Sequence, residues 1–330
     1  MRHKLMVTRI AVLAVLGALV LVLATTVSAA PRSTQQQPTP VRVADLPLWL
    51  AAPDYLARDL GFYKQQGLDV TITSLASPTL ALAGLSSGQF DIFGTCGVAS
   101  AAAAYVGGVH LKMIAPVGAN TPGLMKVLVK SDSSIRSRKD LAGKTVGLTS
   151  TGGSAQLINM MWLQQSGVDP TKVSYVALPS ASIPSAILQG RIDAGQVPQP
   201  ALGPALKSGD FRSLGEDIVG LGPYGTLTSG FCASDSFINS NPDAVKRFVK
   251  AILQANAYAN THKSRARAEL AVYGGLTPDQ AQTTPVGTWP SFLPLKSMQK
   301  QIDNMVKFGL LSKSFNIRDM VWSGAPTKNR

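Results

Sequence analysis

The apolar positions of the chain fall into short runs whose period alternates between that of a strand and that of a helix. Residues 41–44 and 68–73 are of strand length, and 53–66 between them repeats apolar positions at helical spacing. A helix over 78–86, a strand over 90–95, an alanine-rich helix over 98–106 and a strand over 111–117 follow. Alternation at this spacing predicts parallel βαβ units. The pattern then restarts, with strand 144–148, helix 153–165, strand 173–178, helix 183–189 and strand 191–197. Further on, 227–234 reads as a strand returning to the first half. Asn241-Pro242-Asp243 opens a long amphipathic helix over 242–259, and 297–308 is the clearest of the remaining helices.

The two halves repeat each other in detail. Gly67-Leu68-Asp69 after the first helix corresponds to Gly167-Val168-Asp169, and Gly88-Gln89-Phe90-Asp91 after the second corresponds to Gly190-Arg191-Ile192-Asp193. Two such matches in the same order describe a duplicated lobe. Two βαβ sheets side by side leave a cleft at the carboxyl ends of their strands, where open α/β sheets bind ligands. The expected organisation is a signal segment at 1–29, a flexible leader at 30–40 and a first lobe at 41–125. A second lobe with its crossovers occupies 126–222, and the chain returns to the first lobe with C-terminal helices over 223–325.

The amino terminus carries Arg2, Lys4 and Arg9, then an apolar run over 10–24, then small residues with Val27 and Ala29 placed for cleavage. These are the parts of a secretory signal, cleaved near Ala29, with an uncleaved anchor as the alternative. Removing those three basic residues from a net charge of +13 leaves about +10 (13 − 3). The basic residues are scattered and not interleaved with aromatics, so nucleic acid is not the expected partner. Two cysteines remain, Cys96 and Cys232. Export permits a disulfide, but two buried thiols is the reading favoured here.

Four stretches carry a family resemblance. They are Pro47-Leu48-Trp49-Leu50-Ala51 leading to Gly61-Phe62-Tyr63-Lys64-Gln65-Gln66-Gly67-Leu68-Asp69-Val70, then Gly88-Gln89-Phe90-Asp91-Ile92, then Asp140-Leu141-Ala142-Gly143-Lys144-Thr145-Val146-Gly147, and Gly190-Arg191-Ile192-Asp193-Ala194. The chain resembles the solute-binding proteins of nitrate, taurine and alkanesulfonate ABC importers, a group that includes binders of thiamine-pyrimidine precursors. The resemblance spans roughly 41–310. It implies the type 2 periplasmic-binding architecture, two α/β lobes joined by two crossovers and closing on a ligand in the cleft between them. It also implies a small-molecule solute, a membrane permease and an ATPase as partners, an extracytoplasmic location and a monomer.

The candidate ligand contacts lie at strand ends and first helical turns, where unpaired N–H groups and a partial positive charge suit an anionic or polar group. The chief candidates are Ser150, Thr151, Gly152 and Ser154 in the Ser150-Thr151-Gly152-Gly153-Ser154 loop, which also fits a helix cap with a flexible turn. In the first half, Trp49 can stack on a ligand or join the core, Ser77 and Thr79 flank Pro78 where capping competes with binding, and Thr95 ends a strand. Gln196 holds the equivalent place in the second half. Pro179-Ser180, Asn120-Thr121-Pro122 and Trp289 are weaker candidates. Asp91 and Asp193 sit at the repeat position and read as structural, whereas Asp45, just beyond the first strand, can meet a cationic part of a ligand. The crossovers near 122–131 and 218–228 are the expected hinges, with Gly220, Gly222 and Gly225 suited to that role.

Enzymatic motifs are not found. His3, His110 and His262 are isolated, and neither a Gly-x-Ser-x-Gly elbow nor a Gly-x-Gly-x-x-Gly after the first strand occurs. The yeast-type thiamine-pyrimidine synthase, the nearest enzyme by resemblance, carries a Cys-rich motif and a sacrificial His, and neither is present. The expectation is therefore a non-enzymatic binder without metal or cofactor, capturing a sulfonate, nitrate, carboxylate or related polar solute. An exported sensor domain and an exported enzyme are the alternatives.

Overall fold

The computed structural model describes residues 37–329. The expected signal segment and most of the leader lie outside the described residues. Residues 38–329 form one compact unit. Twelve strands are described: β1 Thr39–Asp45, β2 Leu68–Ser74, β3 Ile92–Gly97, β4 Leu111–Ala119, β5 Met125–Lys130, β6 Thr145–Leu148, β7 Ser174–Ala177, β8 Ala194–Pro198, β9 Phe211–Gly215, β10 Leu227–Ser234, and the short β11 Leu293–Pro294 and β12 Thr327–Lys328. The α-helices are α1 Ala52–Asp59, α2 Phe62–Gln65, α3 Pro78–Ser86, α4 Val98–Val106, α5 Ser154–Gln164, α6 Ile183–Leu188, α7 Leu202–Lys207, α8 Asp235–Ser240, α9 Pro242–Thr261, α10 Lys263–Gly274, α11 Pro278–Thr283 and α12 Leu295–Lys307. Among the described residues no helix is long and apolar enough to cross a membrane.

The larger sheets share one plan. The first runs β2-β1-β3-β10-β4 and the second β7-β6-β8-β5-β9. In each, three parallel strands from local βαβ units are followed by one antiparallel strand, β10 or β5, that lies next to a crossing between the sheets. The repeat aspartates do the same work in both. Asp91 accepts the backbone N–H of Arg42 and Asp193 that of Thr145, each at 2.8 Å, fastening the start of a third strand to the first. Their structural reading holds.

Several elements differ from expectation for identifiable reasons. The single helix expected over 53–66 breaks into α1 and α2 because Gly61 takes φ +73°, a left-handed turn that glycine makes without strain. Thr39 and Pro40, read as leader, open β1 and pair with Leu68 and Asp69. Residues 125–130, read as part of a hinge, are strand β5, whose Val127-Leu128-Val129 core is buried on both faces between β8 and β9. Cys96 on β3 and Cys232 on β10 form a disulfide with Cα atoms 5.9 Å apart, correcting the reading as two thiols. Antiparallel pairing of those strands sets the two side chains side by side, a proximity invisible across 136 residues of chain.

Candidate functional site

A cavity of about 80 Å³ lies at the carboxyl ends of the parallel strands of both sheets. One water needs roughly 10–15 Å³ on this measure, so the space suits a small solute. Leu46 follows β1, Thr95 and Gly97 end β3, Thr149 and Ser150 follow β6, and Gln196 and Pro198 end β8. The antiparallel strands enter at the same edge with Met125, Thr228 and Ser229. Leu48, Trp49, Leu50, Ile158 and Ile218 supply apolar wall, and Ser100 and Ser154 supply hydroxyls. No lining residue is Asp, Glu, Lys, Arg or His.

Of the sequence candidates, Trp49, Thr95, Ser150, Ser154 and Gln196 meet here. The structure does not bring Ser77, Thr79, Thr151 or Gly152 to this wall. Ser77 caps α3 by accepting the Leu80 N–H, while Thr79 and Thr151 are exposed. Gly152 sits at φ +69° with its N–H donated to Gln156 Oε1 at 2.7 Å, so that backbone donor is already used. Trp289 is core instead, its indole N–H donating to the Leu50 carbonyl at 3.3 Å. Asn120 donates to the carbonyls of Ile218 and Gly222 and so pins the two crossings together.

Trp49 is 3% exposed and belongs to both readings, lining the cavity and packing in the core. A Cβ on Gly118 would approach its ring to 3.0 Å and one on Gly287 to 1.9 Å. Two glycines therefore make the slot that orients the indole.

The helix ends at the cavity meet each other. Ser154 Oγ, at the start of α5, accepts from the N–H groups of Ala99 and Ser100 on α4 at 3.1 and 3.2 Å. Ser100 Oγ accepts the Ser154 N–H in return at 3.0 Å. Sequence reading missed Ser100 because an Ala-rich helix looks like featureless core.

In the second lobe, Gln196 Nε2 donates to the Ala155 carbonyl at 3.1 Å and to Asp217 Oδ2 at 2.5 Å, and the same oxygen accepts from Asn159 Nδ2 at 3.1 Å. Among the described residues Gln196 Oε1 has no partner. Burial pushes the Asp217 carboxyl up to about 6. Neither Asn159 nor Asp217 carried a sequence signal, since each acts behind the wall.

Asp45 does not line the cavity. It is fully buried beneath it, accepting the Leu46 N–H at 2.9 Å, a donor shared with Thr95 Oγ1 at 3.1 Å. Burial first, and the neighbouring Asp54 charge second, raise its carboxyl well above the usual range. Asp54 accepts the Tyr63 hydroxyl and is raised by burial to about 6. Among the described residues no group of three or more His, Cys, Asp or Glu is gathered as metal ligands.

A family model described as NMT1/THI5 like matches residues 51–266. A curated relative from Candida albicans (strain WO-1), named 4-amino-5-hydroxymethyl-2-methylpyrimidine phosphate synthase, is 30% identical over 245 residues, covering 70% of each chain. The Saccharomyces cerevisiae synthase THI13 is 25% identical, and the match spans 67% of this chain and 64% of the relative. The putative binding protein YtlA of Bacillus subtilis (strain 168) is 27% identical over 65% of this chain and 64% of its own. Among solved structures, the alkanesulfonate-binding protein SsuA of Xanthomonas axonopodis pv. citri, bound to MOPS, superposes with a TM-score of 0.74 at 23% identity, covering 87% of this chain and 99% of that one. The periplasmic nitrate-binding protein NrtA of Synechocystis PCC 6803 also gives 0.74, at 16% identity, covering 85% and 84%.

These likenesses establish the expected fold, the two-lobed α/β architecture of periplasmic binding proteins. They overturn one expectation. The chain was read as non-enzymatic, yet relatives at up to 30% identity are named as synthases. That reading rested on missing motifs, which test for particular catalytic groups, whereas kinship with an enzyme is carried by the whole scaffold.

Proposed function

The chain belongs to the NMT1/THI5-like family, and from that premise we propose that it closes its two lobes on a small, uncharged heterocycle of the pyrimidine class. The observation that carries this is the cavity wall: apolar side chains, hydroxyls and one amide, with no ionic group. An anion in a site of this size is held best by a cation or several free N–H donors. The N–H groups of Ala99 and Ser100 on α4, of Ser154 on α5 and of Gly152 are already paired inside the protein. A flat ring instead finds Trp49 and aliphatic surfaces for its faces and polar atoms for its edge. The relatives are named for a pyrimidine phosphate; its ring agrees with that chemistry, whereas its phosphate would meet no cationic side chain on this wall. This replaces the anionic solute favoured by helix ends considered alone.

In this reading the protein is exported, hinges at the crossings beside Asn120 and Gly222, and delivers its solute to an ABC permease. The solute-binding proteins among the structural neighbours support that role. Catalysis on the same pyrimidine is a second reading, favoured by the synthase names of the relatives.

The test is a thermal-shift and calorimetric titration with 4-amino-5-hydroxymethyl-2-methylpyrimidine. At a hundred times the dissociation constant, bound ligand adds roughly 2.7 kcal/mol, a rise of about 5 °C for a chain this size. Absence of any shift with pyrimidines would sink the proposal. Mass spectrometry of the recovered ligand separates the two readings: unchanged pyrimidine supports capture, and a new product supports catalysis.

A further inference from the structure

Across the cavity the two lobes are joined by a reciprocal pair of helix caps. α4 starts directly after Gly97 and α5 directly after Gly153, so both helices point their amino ends into the same space. First-turn N–H groups have no partner within their own helix and carry partial positive charge, so two such ends repel unless acceptor oxygens lie between them. Here those oxygens are the hydroxyls of Ser154, holding Ala99 and Ser100, and of Ser100, holding Ser154. Glycine before each helix permits the approach. A Cβ on Gly97 would lie 2.4 Å from Ser154 Oγ, and one on Gly153 would lie 2.5 Å from Ser100 Oγ. Both serines are part of the cavity wall.

Resting on the binding reading above, we propose that Ser100 and Ser154 are specificity-determining residues that latch the lobes and take the place of an oxyanion, so that the closed cavity admits uncharged solutes and rejects sulfonates. A sulfonate entering this space displaces both serine oxygens before it reaches the N–H groups of Ala99, Ser100 or Ser154. It exchanges one set of hydrogen bonds for another and meets no cationic side chain in return. It also faces a wall containing Gln196, whose amide oxygen has no donor. An uncharged ring leaves the caps intact, and its binding and the closure of the lobes reinforce each other.

The test uses the full exported chain as wild type, S100A/S154A and G153A. Small-angle X-ray scattering reports closure. Calorimetry reports affinity for methanesulfonate and for 4-amino-5-hydroxymethyl-2-methylpyrimidine. Without the hydroxyls, S100A/S154A opens, seen as a larger radius of gyration, and its affinity for methanesulfonate rises at least tenfold over wild type. G153A retains both hydroxyls but wedges the caps apart, so it opens as well and supplies the answer if the double variant does not fold. The proposal is overturned if both variants stay as compact as wild type, or if wild type already binds methanesulfonate as tightly as S100A/S154A. Failure of wild type to bind pyrimidine refutes the ligand class instead, while the scattering and methanesulfonate measurements still decide the latch.

Discussion

The side-chain amide of Gln196 is held in one orientation by the carboxylate of Asp217, 2.5 Å away and 21 residues further along the chain. With the Ala155 carbonyl accepting its second hydrogen, Nε2 is fully used, and the one group left to the amide is the acceptor Oε1. A buried acceptor without a donor costs about 1–3 kcal/mol. A ligand that brings an N–H to this wall recovers that cost. Gln196→Leu is therefore expected to weaken binding of a 4-aminopyrimidine about tenfold. Asp217→Asn lets the amide turn over, so the preference for an amino over an oxo ring substituent should shrink. Calorimetric titration with matched 4-amino and 4-oxo pyrimidines checks both, and an unchanged preference in Asp217→Asn would count against the orienting role.

The buried carboxyls make stability depend on pH. Asp54 and Asp217 are each raised by burial from 3.8 to about 6. Between roughly pH 4 and 6 the folded chain keeps protons that the unfolded chain has released, so these groups cause stability to fall as pH rises through that window and to level off above it. At about 1.4 kcal/mol per pKa unit the fall is on the order of 3 kcal/mol for Asp217, and Asp54 adds a fall in the same direction. Asp54→Asn removes one buried charge while keeping an oxygen for Tyr63. Subtracting its urea-unfolding profile from that of wild type between pH 4 and 7.5 should isolate a step that penalises wild type at the upper end. A flat difference would show that Asp54 does not titrate there.

The disulfide between Cys96 and Cys232 closes a loop of 136 residues that contains every strand of the second lobe. In the chain-entropy account, a loop of that length stabilises the fold by about 5 kcal/mol. Thermal unfolding of the Cys96→Ala/Cys232→Ala variant should occur roughly 5–10 °C below wild type. Thiol titration of unfolded wild-type protein should find no free cysteine, and two free thiols would refute the bond.

Trp49 depends on a residue 238 positions away. A Cβ at Gly287 would lie 1.9 Å from the Trp49 ring, an approach that real side chains do not make. Gly287→Ala should displace the indole, lower stability by about 1–3 kcal/mol as an overpacked site does, and reduce pyrimidine affinity at least tenfold. Intrinsic tryptophan fluorescence and ligand titration report the two effects separately. Full affinity in a folded Gly287→Ala variant would remove Trp49 from the binding wall.

The two halves differ in how far their local patterns reveal them. Gly88-Gln89-Phe90-Asp91 and Gly190-Arg191-Ile192-Asp193 announce a repeated unit because a helix C-terminus, a left-handed glycine and a strand-anchoring aspartate all act within a few residues. The Met125–Lys130 strand was read as a crossover because its apolar run says nothing about which sheet it will join. Ser150 and Ser154 were legible as wall residues because they follow a strand that the pattern placed, and Gln196 because it lies near the carboxyl end of another. Ser100 was not, since its partner lies 54 residues away on the other lobe.

By itself, the order of apolar and polar residues determined the α/β class, the duplication and the end of each sheet at which the cavity lies. Period, helix caps and turn glycines are short-range properties, and a chain carries them whether or not it is folded. Only the tertiary structure decided the chemistry of the cavity wall. It turned two helix amino ends toward each other, filled them with serine oxygens, drew Asp45 beneath the wall and left Gln196 with an acceptor facing no donor. Hydrogen-bond satisfaction and desolvation depend on which groups become neighbours in space, and those neighbours come from segments that the sequence keeps far apart.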